Sequence, residues 1–304
     1  MSHTKFMKAA TVSLLLASAS LKADPLLVES FESGDMSSTN SYGFKWGGNN
    51  RTSVVTSDSL VYSNGTKSIA SPGGSEWSAI EGDHSLLVSY PAGESWAEQR
   101  FDLGTAYKEL WLQYWVKVPP NYFHGQSFPS NHKFLALWMD AYSQKGEGAT
   151  VLWEFWGSDD GSSRLAVHYN EGAAGTSTGH LQRTAFVSPD DQGRWMEITV
   201  HLKASSDNAT HDGIIELWRR WENEPASNRE KLHSVTDALL SSPTSGPKGW
   251  QSGYFMGWAN SPYAQDTEWL IDHITISENS LLDTKGLTSE AINAPNPPVL
   301  SLEN

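Results

Sequence analysis

The chain has 304 residues, 38% hydrophobic and 18% charged, which is enough apolar material for one large domain with a packed core. Its formal net charge of −14 argues against nucleic acid or an anionic lipid surface as a partner. The absence of cysteine excludes a disulfide framework and a thiolate metal centre, and the 14 tryptophans are its compositional outlier.

Lys5 and Lys8 precede an apolar run from Ala9 to Ala17, and small residues follow as far as Ala23. This is the layout of a secretory signal peptide over residues 1–23, cleaved after Ala19 or Ala23. The run is too short to span a bilayer. A secreted or periplasmic bacterial protein is therefore expected, acting as a monomer and with no membrane partner. Residues 24–280 are expected to form one folded domain, and the Pro/Asn-rich residues 281–304 a loosely ordered tail.

LLVESFESGD (26–35) reads as an edge strand followed by a loop through YGFKWGG (42–48). SVVTS (53–57) and KSIAS (67–71) read as strands around an Asn64–Gly65 turn. HSLLVSY (84–90), WAEQRFDL (96–103) and LWLQYWVKV (110–118) follow, the last closed by Pro119 and Pro120. After a Gly/Pro/Ser-rich loop, a candidate cleft rim, come HKFLALWMD (132–140), VLWEFWG (151–157) and LAVHYN (165–170). A polar loop over 171–190 leads to RWMEITVHL (194–202), GIIELWRRW (213–221), GYFMGWAN (253–260) and WLIDHITIS (269–277). The best helix candidate is the short SVTDALLSS (234–242). About a dozen alternating strands without a long helix or an internal repeat predict an all-β fold, a two-sheet antiparallel β-sandwich of jelly-roll type.

Side chains alternate between the two faces of a strand, so phase sorts the strands into sheets. Residues 110–118, 194–202, 213–218 and 269–277 have one apolar face with mixed polar residues opposite, as in a solvated back sheet; Glu197, Thr199 and His201 point outward on this reading. Five other strands put aromatic and titratable side chains on one phase. These are Trp96, Glu98, Arg100 and Asp102; His132, Phe134, Ala136, Trp138 and Asp140; Glu154 and Trp156; His168 and Asn170; and Tyr254, Met256, Trp258 and Asn260. Sugar rings stack on aromatic faces and their hydroxyls need fixed polar partners, so this phase predicts a polysaccharide-binding cleft.

The succession FESGD, AEQRFDL, LWLQYWVKVPPNY, HKFLALW, GRWMEITVHL, GIIELW, GYFMGWANS and WLIDHITIS resembles the jelly-roll polysaccharide lyases of the concanavalin A-like superfamily, including alginate, glucuronan and heparin lyases. AEQR is similar to their R-S-E-L-R strand through Glu98 and Arg100, and GYFMGWANS to Y-F-K-A-G-x-Y-N-Q through Tyr254, Phe255, Gly257 and Asn260. The Q-I-H strand corresponds by order to KFLALWM, which has neither the Gln nor the His. The resemblance implies β-elimination on a uronate polysaccharide. It also implies a structural Ca²⁺, for which Glu32, Asp35 and Asp272 occupy matching places and offer oxygen ligands.

A uronate lyase must neutralise a carboxylate, abstract the C5 proton and protonate the leaving oxygen. Arg100 suits the first task and His168 the second, with His132 as the second candidate base; Tyr254 suits the acid, or both base and acid. Glu154 completes the catalytic set. Substrate binding is expected from Glu98, Lys133, Trp138, Trp156, Asn170, Trp258 and Asn260. A glycoside hydrolase is the alternative, using Glu98 and Glu154 as the two carboxylates that such chemistry needs about 5–10 Å apart. A noncatalytic carbohydrate-binding protein is the third reading, and the tryptophans alone would satisfy it.

Overall fold

The computed structural model describes residues 25–37, 42–56, 78–125, 129–142, 147–170 and 177–282. The signal peptide, the Asn64–Gly65 turn with the strand at 67–71, and residues 283–304 of the tail lie outside the described residues.

Strands numbered in chain order form two antiparallel sheets. The front sheet runs β10 (Ser177–Val187), β9 (Ser163–Asn170), β8 (Thr150–Gly157), β7 (Asn131–Trp138), β14 (Trp250–Phe255), β5 (Glu98–Tyr107) and β2 (Lys45–Asn50). The back sheet runs β13 (Glu230–Ala238), β12 (Gly213–Trp221), β11 (Trp195–Lys203), β6 (Glu109–Lys117), β15 (Thr267–Ser277), β4 (Ser85–Tyr90) and β3 (Thr52–Val55), with β1 (Leu27–Glu29) also paired to β15. The five strands sorted by phase into a cleft share the front sheet, and the four sorted into the back share the other. The fold is the expected all-β sandwich.

The core lies between the sheets and mixes aliphatic side chains with large aromatic ones. Tyr114 of β6 meets Phe255 of β14 edge-on at 5.0 Å, and Phe155 of β8 stacks on Trp269 of β15 at 5.0 Å. Such cross-sheet pairs fix how the two layers face each other.

Five sequence expectations change. Residues 177–187 of the predicted polar loop form β10, and 45–50 of the predicted N-terminal loop form β2; both are edge strands of the front sheet. The helix candidate is occupied by β13 as far as Ala238, because His233 and Val235 turn inward at period two and the strand extends the ladder of β12. The back face is not solvated. Glu197, Thr199 and His201 are buried, and Glu197 is bound by both Arg220 and Arg229. Trp115 and Trp195 pack there with Ala79 and Ile80, while Leu281 is buried against Trp111 and Trp218. The first residues of the predicted tail thus belong to the fold.

Candidate active site

Register across the front sheet builds the site. Arg100, Tyr254, Ala136, Leu152 and His168 are directly opposed in turn, making one rung across β5, β14, β7, β8 and β9. Directly opposed residues point to the same face. Arg100 and His168 therefore flank a floor whose central members are Ala136 and Leu152. Beyond that rung, Lys133 is opposed to Glu154, and Asn131 to Trp156.

A β-bulge corrects the phase of β7. Lys133 pairs with Glu154 but Leu135 pairs with Trp153, so Phe134 is an extra residue. Asn131 and Lys133 face the cleft before the bulge, and Ala136 and Trp138 face it afterwards. His132, the second candidate base, lies instead in the core together with Phe134. Its Nδ1 is joined to the Tyr263 hydroxyl at 2.7 Å and its Nε2 to the Tyr90 hydroxyl at 2.9 Å. Burial holds its pKa well below the ordinary histidine value, so it is a neutral structural group. Met256 leaves its expected phase too. Its φ of 56° turns it into the core.

The remaining polar groups form a connected set. Asn260 Nδ2 donates to Asn131 Oδ1 at 2.6 Å, and Asn131 Nδ2 donates to Glu154 Oε1 at 2.6 Å. The other carboxylate oxygen, Oε2, is bonded to His168 Nδ1, and Lys133 Nζ lies 3.9 Å from Oε1. Glu154 is buried, whereas the His168 side chain is 35% exposed. The carboxylate thus orients the imidazole from below and leaves Nε2 for a ligand. The Glu154 hydrogen bond raises the His168 pKa above its ordinary value, against the opposing effect of burial. Gly179 stands opposite His168 on β10, where a Cβ would lie 2.8 Å from the ring, so glycine leaves room for the imidazole.

On the other flank Arg100 Nε donates to Glu98 Oε1 at 2.6 Å. Its guanidinium lies 5.9 Å from the ring centroids of both Trp138 and Tyr142. Tyr254 is fully buried beneath these rings, and its hydroxyl is bonded to that of half-buried Tyr142 at 2.9 Å. Burial is the first cause that raises both phenol pKa values, so both phenols keep their protons at neutral pH. Tyr142 is the phenol nearer to solvent, and no strand pattern in the sequence points to it. Nor does any point to Asn131, the residue before His132.

Among the substrate-binding candidates, Lys133, Glu98, Trp138 and Asn260 take part in these networks. Trp156 lies 6.4 Å from His168, ring to ring, and Trp258 is exposed. Asn170 lies one rung beyond His168, opposite Thr150, where it is buried and its Oδ1 accepts the Thr150 N–H. It closes the strand pair rather than presenting its amide to the cleft.

The carboxylates expected to bind calcium do not converge. Glu32 accepts the N–H groups of Asp83 and His84, and Asp35 those of its own turn through Ser37. Asp272 accepts from Ile80 N, Glu81 N, Ser85 Oγ and His273 N. Among the described residues no group of three or more such side chains is placed to hold a metal. Oxygens facing N–H donors do not make the oxygen-lined cradle that Ca²⁺ needs. Asp272 instead pins the 80–85 loop to β15. Asp272→Asn turns an amide N–H₂ toward backbone N–H groups and is expected to cost about 2–3 kcal/mol, read as a lower denaturant midpoint.

No family model matches the chain, and no curated protein matches it. Solved structures do. A mutant of alginate lyase Aly36B in complex with alginate tetrasaccharide is similar at 12% identity and a TM-score of 0.52, over 84% of this chain and 94% of that one. Alginate lyase vAL-1 from Chlorella virus is similar at 10% identity and a TM-score of 0.50, over 84% of this chain and all of that one. What this chain shares with those alginate lyases is their β-sandwich fold.

Proposed function

We propose that this protein is a polysaccharide lyase that cleaves a uronate-containing glycan by β-elimination. The observation that carries the reading is the Glu154-oriented imidazole of His168, half-exposed on the same floor as the cations of Lys133 and Arg100. In this reading the cations bind the uronate carboxylate, a local positive site on a chain of negative net charge. His168 Nε2 takes the C5 proton, and the C–H electrons form the C4–C5 double bond as the C4–O bond breaks. The leaving oxygen takes a proton from Tyr142, the phenol nearer to solvent, with Tyr254 behind it. The Cα atoms of His168 and Tyr254 stand three strand spacings apart, roughly 14 Å, which leaves room for a sugar ring between the tips of their flanks. An exported enzyme acting alone on an extracellular glycan fits this reading.

The hydrolase reading finds less support. Glu154 has both oxygens engaged by Asn131 and His168, and Glu98 is bound to Arg100. Product masses separate the two reactions: elimination divides the parent mass without adding water, and hydrolysis adds one water per cut. Products carrying the added water would overturn the proposal.

The raised His168 pKa gives a pH prediction. The base must be neutral, so activity is expected to rise as pH passes upward through that pKa. Glu154→Gln removes the main cause of the shift. The acidic limb of the kcat/KM profile should then move to lower pH, while kcat falls by about tenfold or more. A limb that stays in place would remove His168 from the base role.

A further inference from the structure

We propose that Trp96 and Trp258 form a distal sugar-stacking platform, occupied by a pyranose of the same polymer whose uronate reacts at His168. The proposal rests on the lyase reading for the identity of that polymer.

Both rings are unusually open, at 42% and 46% exposure, and the two residues face each other across an isolated antiparallel bridge. Trp96 lies on the phase of Glu98 and Arg100, whereas Ala97 between them is in the core. The pair therefore continues the floor of the cleft. The backbone beneath it is fixed. Asn50 Nδ2 and Arg51 Nη1 both donate to the Trp96 carbonyl at 2.6 Å, and the Trp258 carbonyl accepts the Lys133 N–H. Exposed aromatic rings on a fixed backbone offer a broad stacking face at a small ordering cost, with only two side-chain torsions each to fix.

Distance identifies the occupant. Trp96 is four residues from Arg100 along an extended strand, roughly 13 Å, whereas Trp258 adjoins Lys133, so the platform begins beside the reacting uronate and its Trp96 end lies about two to three linked sugars away. Two rings beside polar Asn50 and Arg51 are much smaller than the roughly 800 Å² per partner of a stable protein interface. Arg51 is paired with Glu94 at 2.9 Å, so the platform selects a sugar face rather than a second carboxylate.

The test compares Trp96→Ala, Trp96→Phe and wild type on a ladder of oligouronates and on the intact polymer. Trp96→Ala is expected to raise KM for the polymer about threefold to tenfold with kcat unchanged. It should leave the shortest cleaved oligomer unaffected, and Trp96→Phe should restore KM. Equal KM for polymer in wild type and Trp96→Ala, or an equal change at every chain length, would overturn the platform. Affinity electrophoresis through gels containing polymer reads binding without turnover. Retardation lost in Trp96→Ala supports the platform even if no glycan is cut, which would count against the lyase reading alone. Retardation equal in both proteins counts against the platform.

Discussion

Replacing His168 with alanine is expected to lower kcat on a uronate polymer by roughly 10²–10⁴-fold, the usual contribution of a positioned general base. The imidazole lies on the open face of the front sheet, and its Nδ1 is bonded to a buried carboxylate that Asn131 also holds. Alanine removes the proton acceptor but leaves Arg100 and Lys133, so affinity for the polymer should change much less than turnover. The substitution also leaves Glu154 buried with one partner fewer. A thermal melt must therefore accompany the kinetics, to show that the lost rate is not lost protein. Full activity in a folded His168→Ala protein would place the chemistry elsewhere.

His132→Ala should do the reverse. His132 fills a fully buried space between Tyr90, Tyr263, Phe155 and Trp269, and its two nitrogens hold two buried hydroxyls. Removing it opens a cavity and strips hydrogen bonds from both tyrosines, at an expected cost of about 3–5 kcal/mol. For a domain of this size that lowers Tm by roughly 10 °C. In the protein that remains folded at low temperature, kcat should stay within about tenfold of wild type, because the imidazole touches no cleft residue. The check is a melt paired with kinetics at a temperature where the variant is folded. An unchanged Tm with abolished turnover would return His132 to the chemistry.

The contrast between these two histidines shows what the sequence could and could not convey. Period-two alternation sorted β5, β7, β8, β9 and β14 into one sheet, because apolar residues on the opposite phase mark the core side. Alternation also placed Arg100, Glu154 and His168 on one face. It failed where the backbone breaks period. The bulge at Phe134 adds one residue to β7 and exchanges His132 for Lys133, and the positive φ of Met256 takes that residue alone out of phase, since Trp258 and Asn260 keep the parity of Tyr254. Neither event has a glycine or proline at its centre to announce it. Edge strands were the other gap. β2 reads KWGGNN and β10 begins STGH, polar and glycine-rich because one side of an edge strand has no neighbour to pack against. The buried back face was illegible for a related reason. Glu197 and His201 look like solvent-facing residues until Arg220 and Arg229 are seen to close over the first, and Glu109 and Glu216 to bind the second.

The carboxylates expected to hold a metal are a different case. Three acidic residues in matching places are compatible with a cation, but each carboxylate is turned toward the N–H groups of a nearby loop or turn. Sequence spacing does not reveal whether a carboxylate faces donors or a cavity.

Continuous ultraviolet absorbance during digestion is the most direct measurement of the reaction, because β-elimination leaves a conjugated unsaturated uronate at each new end. Alginate, glucuronan, ulvan and glycosaminoglycans form the screening panel. A rise in absorbance with wild type on at least one of these, lost in His168→Ala, is the expected result. New reducing ends accumulating without that absorbance would contradict β-elimination.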